Sequence, residues 1–215
     1  IYVSMSGWGE NGPLAHKPVY DPIIQALSGL ASVQGGSDTV RPRLIRTIVP
    51  DKLTAVTAAQ AVTAALAGRA KTGEGQHVKV SMLDSVIAFL WSSDMNGQTF
   101  VGEEITQARA ATFIDLIYET KTDYISVSTM TNVQWQAFCK ASGREQLLDD
   151  PRFASPSLRD QNANERLELI QEALLERTAA EWLEILDKAG VPSSPVLTRA
   201  QMINHPQVEA SATVI

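Results

Sequence analysis

Residues 1–97 predict an α/β portion, and residues 98–198 a smaller α+β portion, with 199–215 returning toward the first. Three observations carry this. β-rich runs at 1–6 and 77–82 bracket helical segments. Composition turns irregular and polar over 98–112, which suits a crossing between the two portions. Two strand-like runs around a turn then precede a series of helices.

The elements follow in order. "IYVSMS" (1–6) reads as a strand, and "GWGENGPLAHKP" (7–18) as a loop rich in Gly and Pro. "DPIIQALSGLASVQGG" (21–36) predicts one helix, with Asp21 as N-cap, Pro22 in the first turn and glycines at the end. A loop over 38–50 leads to an Ala-rich helical run from Lys52 to Ala67, with Gly68 as its stop. So much Ala and so little charge predict a helix packed closely on several sides. "HVKVSM" (77–82) alternates as a strand does, with His77, Lys79 and Ser81 on one face. "LDSVIAFLWSSDMNG" (83–97) predicts an apolar helix ending near Gly97.

Beyond 112, "FIDLIYETKTDYISVST" predicts two strands around "TKTD". "NVQWQAFCKASG" (132–143) predicts a helix, and 144–161 loop and short turns. Over 162–178 Leu167, Ile170, Leu174 and Leu175 share a helical face. Thr178 and Glu181 form the capping box of a helix that Gly190 and Pro192 stop, and "PSSPVLT" is extended.

Composition narrows the function. The 215 residues are 44% hydrophobic and 20% charged, as in ordinary globular chains. A net charge of −6 and the lack of basic runs interleaved with aromatics argue against nucleic acid as a partner. Cys139 is the only cysteine, which excludes an internal disulfide and a cysteine zinc site, and points to a reducing, cytoplasmic setting. His16, His77 and His205 lack metal-ligand spacing, and no run approaches the ~20 apolar residues of a membrane span. The chain opens on Ile1 and stops at "ASATVI", so a fragment of a longer protein is expected.

"GWGENG" (7–12) matches G-x-G-x-x-G, but Pro13 and Pro18 forbid the helix that a dinucleotide fingerprint must open. It remains a candidate ligand wall. Tyr20 and Asp21 read as a packed Tyr beside a capping Asp, or as a Tyr facing a ligand. Asp51 follows Pro50 at the entrance of the Ala-rich helix. As a cap it would accept helix N–H bonds, worth ~1 kcal/mol. With one oxygen left free it could also attack an acyl group. There is no G-x-S-x-G elbow and no phosphate-binding Walker loop.

"YVSMSGWGENGP", "KPVYDPIIQALSGL", "KTGEGQHVKVSMLDSVIAFL", "DDPRFAS" and "EWLEILDKAGVPSSPV" resemble, in order and spacing, the family III CoA-transferases of the CaiB/BaiF type. The resemblance covers most of the chain, and that family's full chain is about twice as long. It implies part of a Rossmann-like large domain plus a smaller α+β domain. It implies transfer of coenzyme A from an acyl-CoA to a carboxylic acid, with Asp51 as the nucleophile that forms an anhydride and then a thioester. By the same correspondence Tyr20 and Met82 line the coenzyme A site. Coenzyme A enters as substrate, without a metal or redox cofactor, and the full-length partner is a second copy in an interlocked homodimer. The related α-methylacyl-CoA racemases carry His at the position of Tyr20, which favours transfer over racemisation. An inactive truncated fragment is the third alternative.

Overall fold

The computed structural model describes residues 1–36, 39–91, 93–95, 102 and 116–212. Contacts divide the chain into two compact units, Ile1–Arg109 and Ala110–Ile215.

In the first unit β1 (Tyr2–Ser6) leads through a loop to α1 (Asp21–Leu27) and α2 (Leu30–Gly35). The single helix expected over 21–36 is broken. Gly29 adopts φ +88°, a left-handed turn that glycine enters without a Cβ penalty, and the Ser28 hydroxyl accepts the Leu30 N–H at 3.4 Å. The long helix α3 (Val49–Thr72) starts earlier than expected and runs straight through Gly68. It stops at Gly73, whose φ of +76° turns its N–H onto the Arg69 carbonyl at 2.7 Å. Nor is α3 packed on several sides. Pro50, Thr54, Ala58 and Ala65 form a narrow buried stripe, while Val56 is 68% exposed. Alanine permits close approach on any face, so an Ala/Thr pattern does not choose one.

β2 (His77–Ser81) pairs parallel with β1, Tyr2 opposite His77 and Ser6 opposite Ser81. The chain turns at once into α4 (Met82–Trp91). Ser81 starts it: its hydroxyl accepts the Asp84 N–H at 3.1 Å and donates to the Asp84 carboxylate at 2.6 Å. The helix ends at Trp91; Gly97 and nearly all of the crossing at 98–112 lie outside the described residues. Ile24, Leu30, Val86 and Leu90 form the buried core, with Val19, Val49, Leu53 and Met82 packed against it.

In the second unit the hairpin forms as expected: β3 (Ile117–Glu119) and β4 (Tyr124–Val127) are antiparallel. Thr120 closes the turn through its hydroxyl, which donates to the Asp123 carbonyl at 2.6 Å and accepts the N–H of Thr122 and of Asp123. α5 (Asn132–Ala141) carries a Thr131/Gln134 capping box. Residues 144–161 hold more structure than loop: two 3₁₀ turns, Glu145–Leu148 and Pro151–Phe153, then α6 (Pro156–Gln161). α7 (Ala163–Leu174) buries Leu167, Ile170 and Leu174, but Leu175 lies just past its end and is 46% exposed. Gln171 on α7 extends the sheet, its amide exchanging two 2.9 Å bonds with the Glu119 backbone on β3.

α8 (Ala179–Ala189) has the expected Thr178/Glu181 box and the left-handed Gly190 end. β5 (Ser193–Pro195) then adds antiparallel to β4. Two short helices, α9 (Arg199–Ile203) and α10 (Pro206–Ala210), follow.

Cys139 is fully buried in α5 against Trp135 and Phe138. Burial disfavours the thiolate and pushes its pKa up to about 12. An unfolded thiol titrates near about 8.5. Between those values the unfolded chain gives up a proton that the folded chain keeps, so this site's contribution to stability falls as pH rises through that window. A thiol reagent at neutral pH is expected to modify Cys139 only at the rate of unfolding. A fast stoichiometric reaction in native buffer would contradict this burial.

Candidate active site

The site starts from the glycine loop after β1. The Gly7 carbonyl accepts the Leu83 N–H at 3.0 Å, which fastens the loop to the start of α4. A Cβ on Gly7 would overlap Val19 Cγ1 and touch Met82 Cε, so a side chain there would force Val19 to shift. The G-x-G-x-x-G match opens no helix: residues 7–20 are bends and turns. Met82 is half-buried and faces this loop from the first position of α4.

Tyr20 is the N-cap residue of α1, with extended backbone (φ −132°) and no side-chain cap bond. It is not the packed tyrosine of the plainer expectation: 79% of it is exposed. Asp21 is not the cap of its own helix either. It is the first helical residue, 4% exposed, and its carboxylate reaches a different helix. Oδ1 accepts the Gln25 amide at 2.6 Å, and Oδ2 accepts the backbone N–H of Asp51 at 3.3 Å. Gln25, 1% exposed, ties in the approach to α3. Its Oε1 accepts the Ile45 N–H at 2.9 Å, and its Nε2 faces the carbonyls of Ile45 and Thr47 at 3.4 Å.

Asp51 therefore does not cap α3. Ile48 is the N-cap and offers no side-chain bond, and Asp51 stands within the first turn with an exposed side chain. The first-turn donors can be accounted for one by one. The Val49 N–H donates to the Thr47 carbonyl at 2.9 Å, Pro50 has none, Asp51 donates to Asp21, and Lys52 to the Ile48 carbonyl at 3.2 Å. Among the described residues the Asp51 carboxylate itself accepts no hydrogen bond and joins no ion pair. An unencumbered carboxylate at the positive end of a 24-residue helix can act as an oxygen nucleophile.

One feature of this region escaped the sequence reading. The approach loop carries Arg41, Arg43 and Arg46, all exposed, and Lys52 follows Asp51, with its Nζ donating to Thr47 Oγ1 at 2.9 Å. Four cations within twelve residues stand out in a chain of net charge −6, and this signal was legible as a charge run.

A separate hollow of about 270 Å³ lies on the polar face of β1 and β2, lined by Ser4, Ser6, Trp8, Lys79, Ser81 and Asp84 among others. Ser4 and His77 are bonded there at 2.7 Å, and Lys79 is paired with Glu10. Lys79 holds the Glu10 carboxyl below the usual range. Tyr20, Asp51 and Met82 do not line this hollow. Among the described residues no cluster of three or more His, Cys, Asp or Glu could hold a metal ion, and no helix is long and apolar enough to cross a membrane.

The model of CoA-transferase family III matches residues 1–215. The chain belongs to that family. This family III chain is 33% identical over 221 residues to an acetyl-CoA:oxalate CoA-transferase of Acetobacter aceti, covering 100% of this chain and 56% of the relative. It is 28% identical over 214 residues to the human succinyl-CoA:glutarate CoA-transferase, covering 97% of this chain and 48% of the relative. The family III chain thus spans about half the length of the curated relatives it matches. Among solved structures it resembles a hypothetical protein from Mycobacterium tuberculosis (TM-score 0.83, 26% identity, 100% of this chain and 58% of that one). It also resembles a CaiB/BaiF family protein from Brucella suis (TM-score 0.80, 28% identity, 100% and 57%). The α/β class read from the sequence agrees with those structures.

Proposed function

We propose that this protein transfers coenzyme A from an acyl-CoA to a carboxylic acid, with Asp51 as the nucleophile. The observation that carries the proposal is the exposed, unpaired Asp51 carboxylate at the start of α3 in a family III chain. Its oxygen attacks the thioester carbonyl, and the C–S bond breaks to leave a mixed anhydride and coenzyme A thiolate. The thiolate then attacks the aspartyl carbonyl, releasing the donor acid as carboxylate and leaving an aspartyl-CoA thioester. The acceptor carboxylate attacks that thioester to give a second anhydride. The freed thiolate takes the acceptor's acyl group, and the Asp51 carboxylate is restored. Each attack builds an oxyanion that backbone N–H groups would stabilise.

Tyr20 and Met82 flank the coenzyme A in this proposal, as the exposed ring at the start of α1 and the thioether beside the glycine loop. Arg41, Arg43, Arg46 and Lys52 suit anionic substrates, either the phosphates of coenzyme A or a dicarboxylate. The relatives named for oxalate and glutarate support the second. Tyr at position 20 supplies no imidazole for racemisation, and coenzyme A serves as substrate without a metal or redox cofactor.

Hydroxylamine trapping tests the route. After incubation of the protein with an acyl-CoA, peptide mass spectrometry is expected to find a hydroxamate on Asp51. An unmodified Asp51, under conditions in which coenzyme A is released, would overturn the covalent mechanism.

A further inference from the structure

We infer that Asp21, held by Gln25, is a positioning residue that keeps the Asp51 carboxylate free for attack. This rests on the proposed role of Asp51. An aspartate in the first turn of a helix has open N–H groups beside it, and its carboxylate readily folds back onto them. At α3 the donors from Val49 to Asp51 are already engaged or missing. Val49 is satisfied by Thr47, Pro50 has no donor, and the Asp51 N–H is taken by Asp21 Oδ2. A second carboxylate therefore holds the backbone of Asp51 itself, and its charge repels the Asp51 side chain from the buried side of the helix start.

The arrangement is built for this. Asp21 and Gln25 are both almost wholly buried, and burial of a carboxylate is costly unless its oxygens are engaged. Each oxygen has one donor, Gln25 Nε2 on one and the Asp51 N–H on the other. Gln25 in turn holds Ile45 and faces Thr47, the backbone that delivers the chain into α3. The relay thus fixes both the entry to α3 and the residue that would do chemistry. Asp21 does not touch the reacting atoms; its effect passes through Asp51.

Two measurements test this separately from the proposed chemistry. In the 215-residue chain, Asp21→Ala is expected to speed amide hydrogen exchange at Asp51 about tenfold or more, with exchange at Val86 and Leu90 unchanged. In the transfer assay, Asp21→Ala is expected to lower kcat by about 10- to 100-fold with KM for acyl-CoA within about twofold. Asp21→Asn places its amide NH₂ against the Gln25 NH₂ and should be impaired. Should Asp21→Ala not fold, Asp21→Asn carries the test.

Unchanged Asp51 exchange in the Asp21 variants, or unchanged kcat, would overturn the inference. If Asp51→Asn itself kept full turnover, the nucleophile proposal would fail instead, while Asp51 exchange would still report the Asp21 bond.

Discussion

Asp51→Asn is expected to lower kcat for coenzyme A transfer by roughly 1,000-fold or more, because the amide replaces the attacking carboxylate oxygen with a far poorer nucleophile. The shape is kept and the side chain is exposed, so the fold should scarcely notice. Loss of the negative charge at the start of α3 costs about 0.3–1 kcal/mol, a small change in melting temperature. The informative result is this separation of a large kinetic loss from a small stability loss. Acyl-CoA binding, followed by calorimetry, should survive. Since asparagine can revert by deamidation, Asp51→Ala provides the control. Turnover within about tenfold of wild type in both variants would remove Asp51 as nucleophile.

The largest expected effect on stability lies in the second unit. Trp182 is 1% exposed in α8, and its indole N–H donates to the Leu174 carbonyl at the end of α7, at 2.9 Å. The Arg177 guanidinium stands 5.7 Å from its ring. Trp182→Ala removes the ring, leaves a cavity among Leu174, Leu186 and their neighbours, and strands a buried carbonyl. About 3–5 kcal/mol of destabilisation is expected. For a unit of this size that corresponds to a fall in Tm of roughly 12–40 °C. Trp182→Phe keeps most of the packing and loses only the hydrogen bond, so it should cost about 1–2 kcal/mol. Equal losses in the two variants, read by denaturant unfolding, would show that the bond rather than the packing dominates.

The parts legible in the sequence are those settled within a few residues. The Thr178/Glu181 capping box and Gly190 delimit α8 as expected, because cap and stop depend only on side chains one turn away. The hairpin at Thr120–Asp123 is equally local. Helix ends governed by glycine were harder. Gly29, Gly68 and Gly73 look alike in sequence, yet the first breaks a helix, the second is passed over and the third ends one. Glycine permits a left-handed turn without requiring it, and the surrounding packing decides whether the turn is made.

The candidate site divides the same way. The order of segments singled out Asp51, Tyr20 and Met82, and a run of arginines before Asp51 was there to be read. The sequence alone also established the α/β class, the family resemblance and an acidic residue at the head of an Ala-rich helix. It could not say which aspartate caps which helix. That depends on α1 packing against α3, which brings Asp21 to a backbone N–H thirty positions later and leaves the Asp51 side chain in the open. A hydrogen bond between distant segments has no local signature. Its partners are chosen by the burial of Ile24, Val49 and Leu53 in one core, and only the folded chain brings them together.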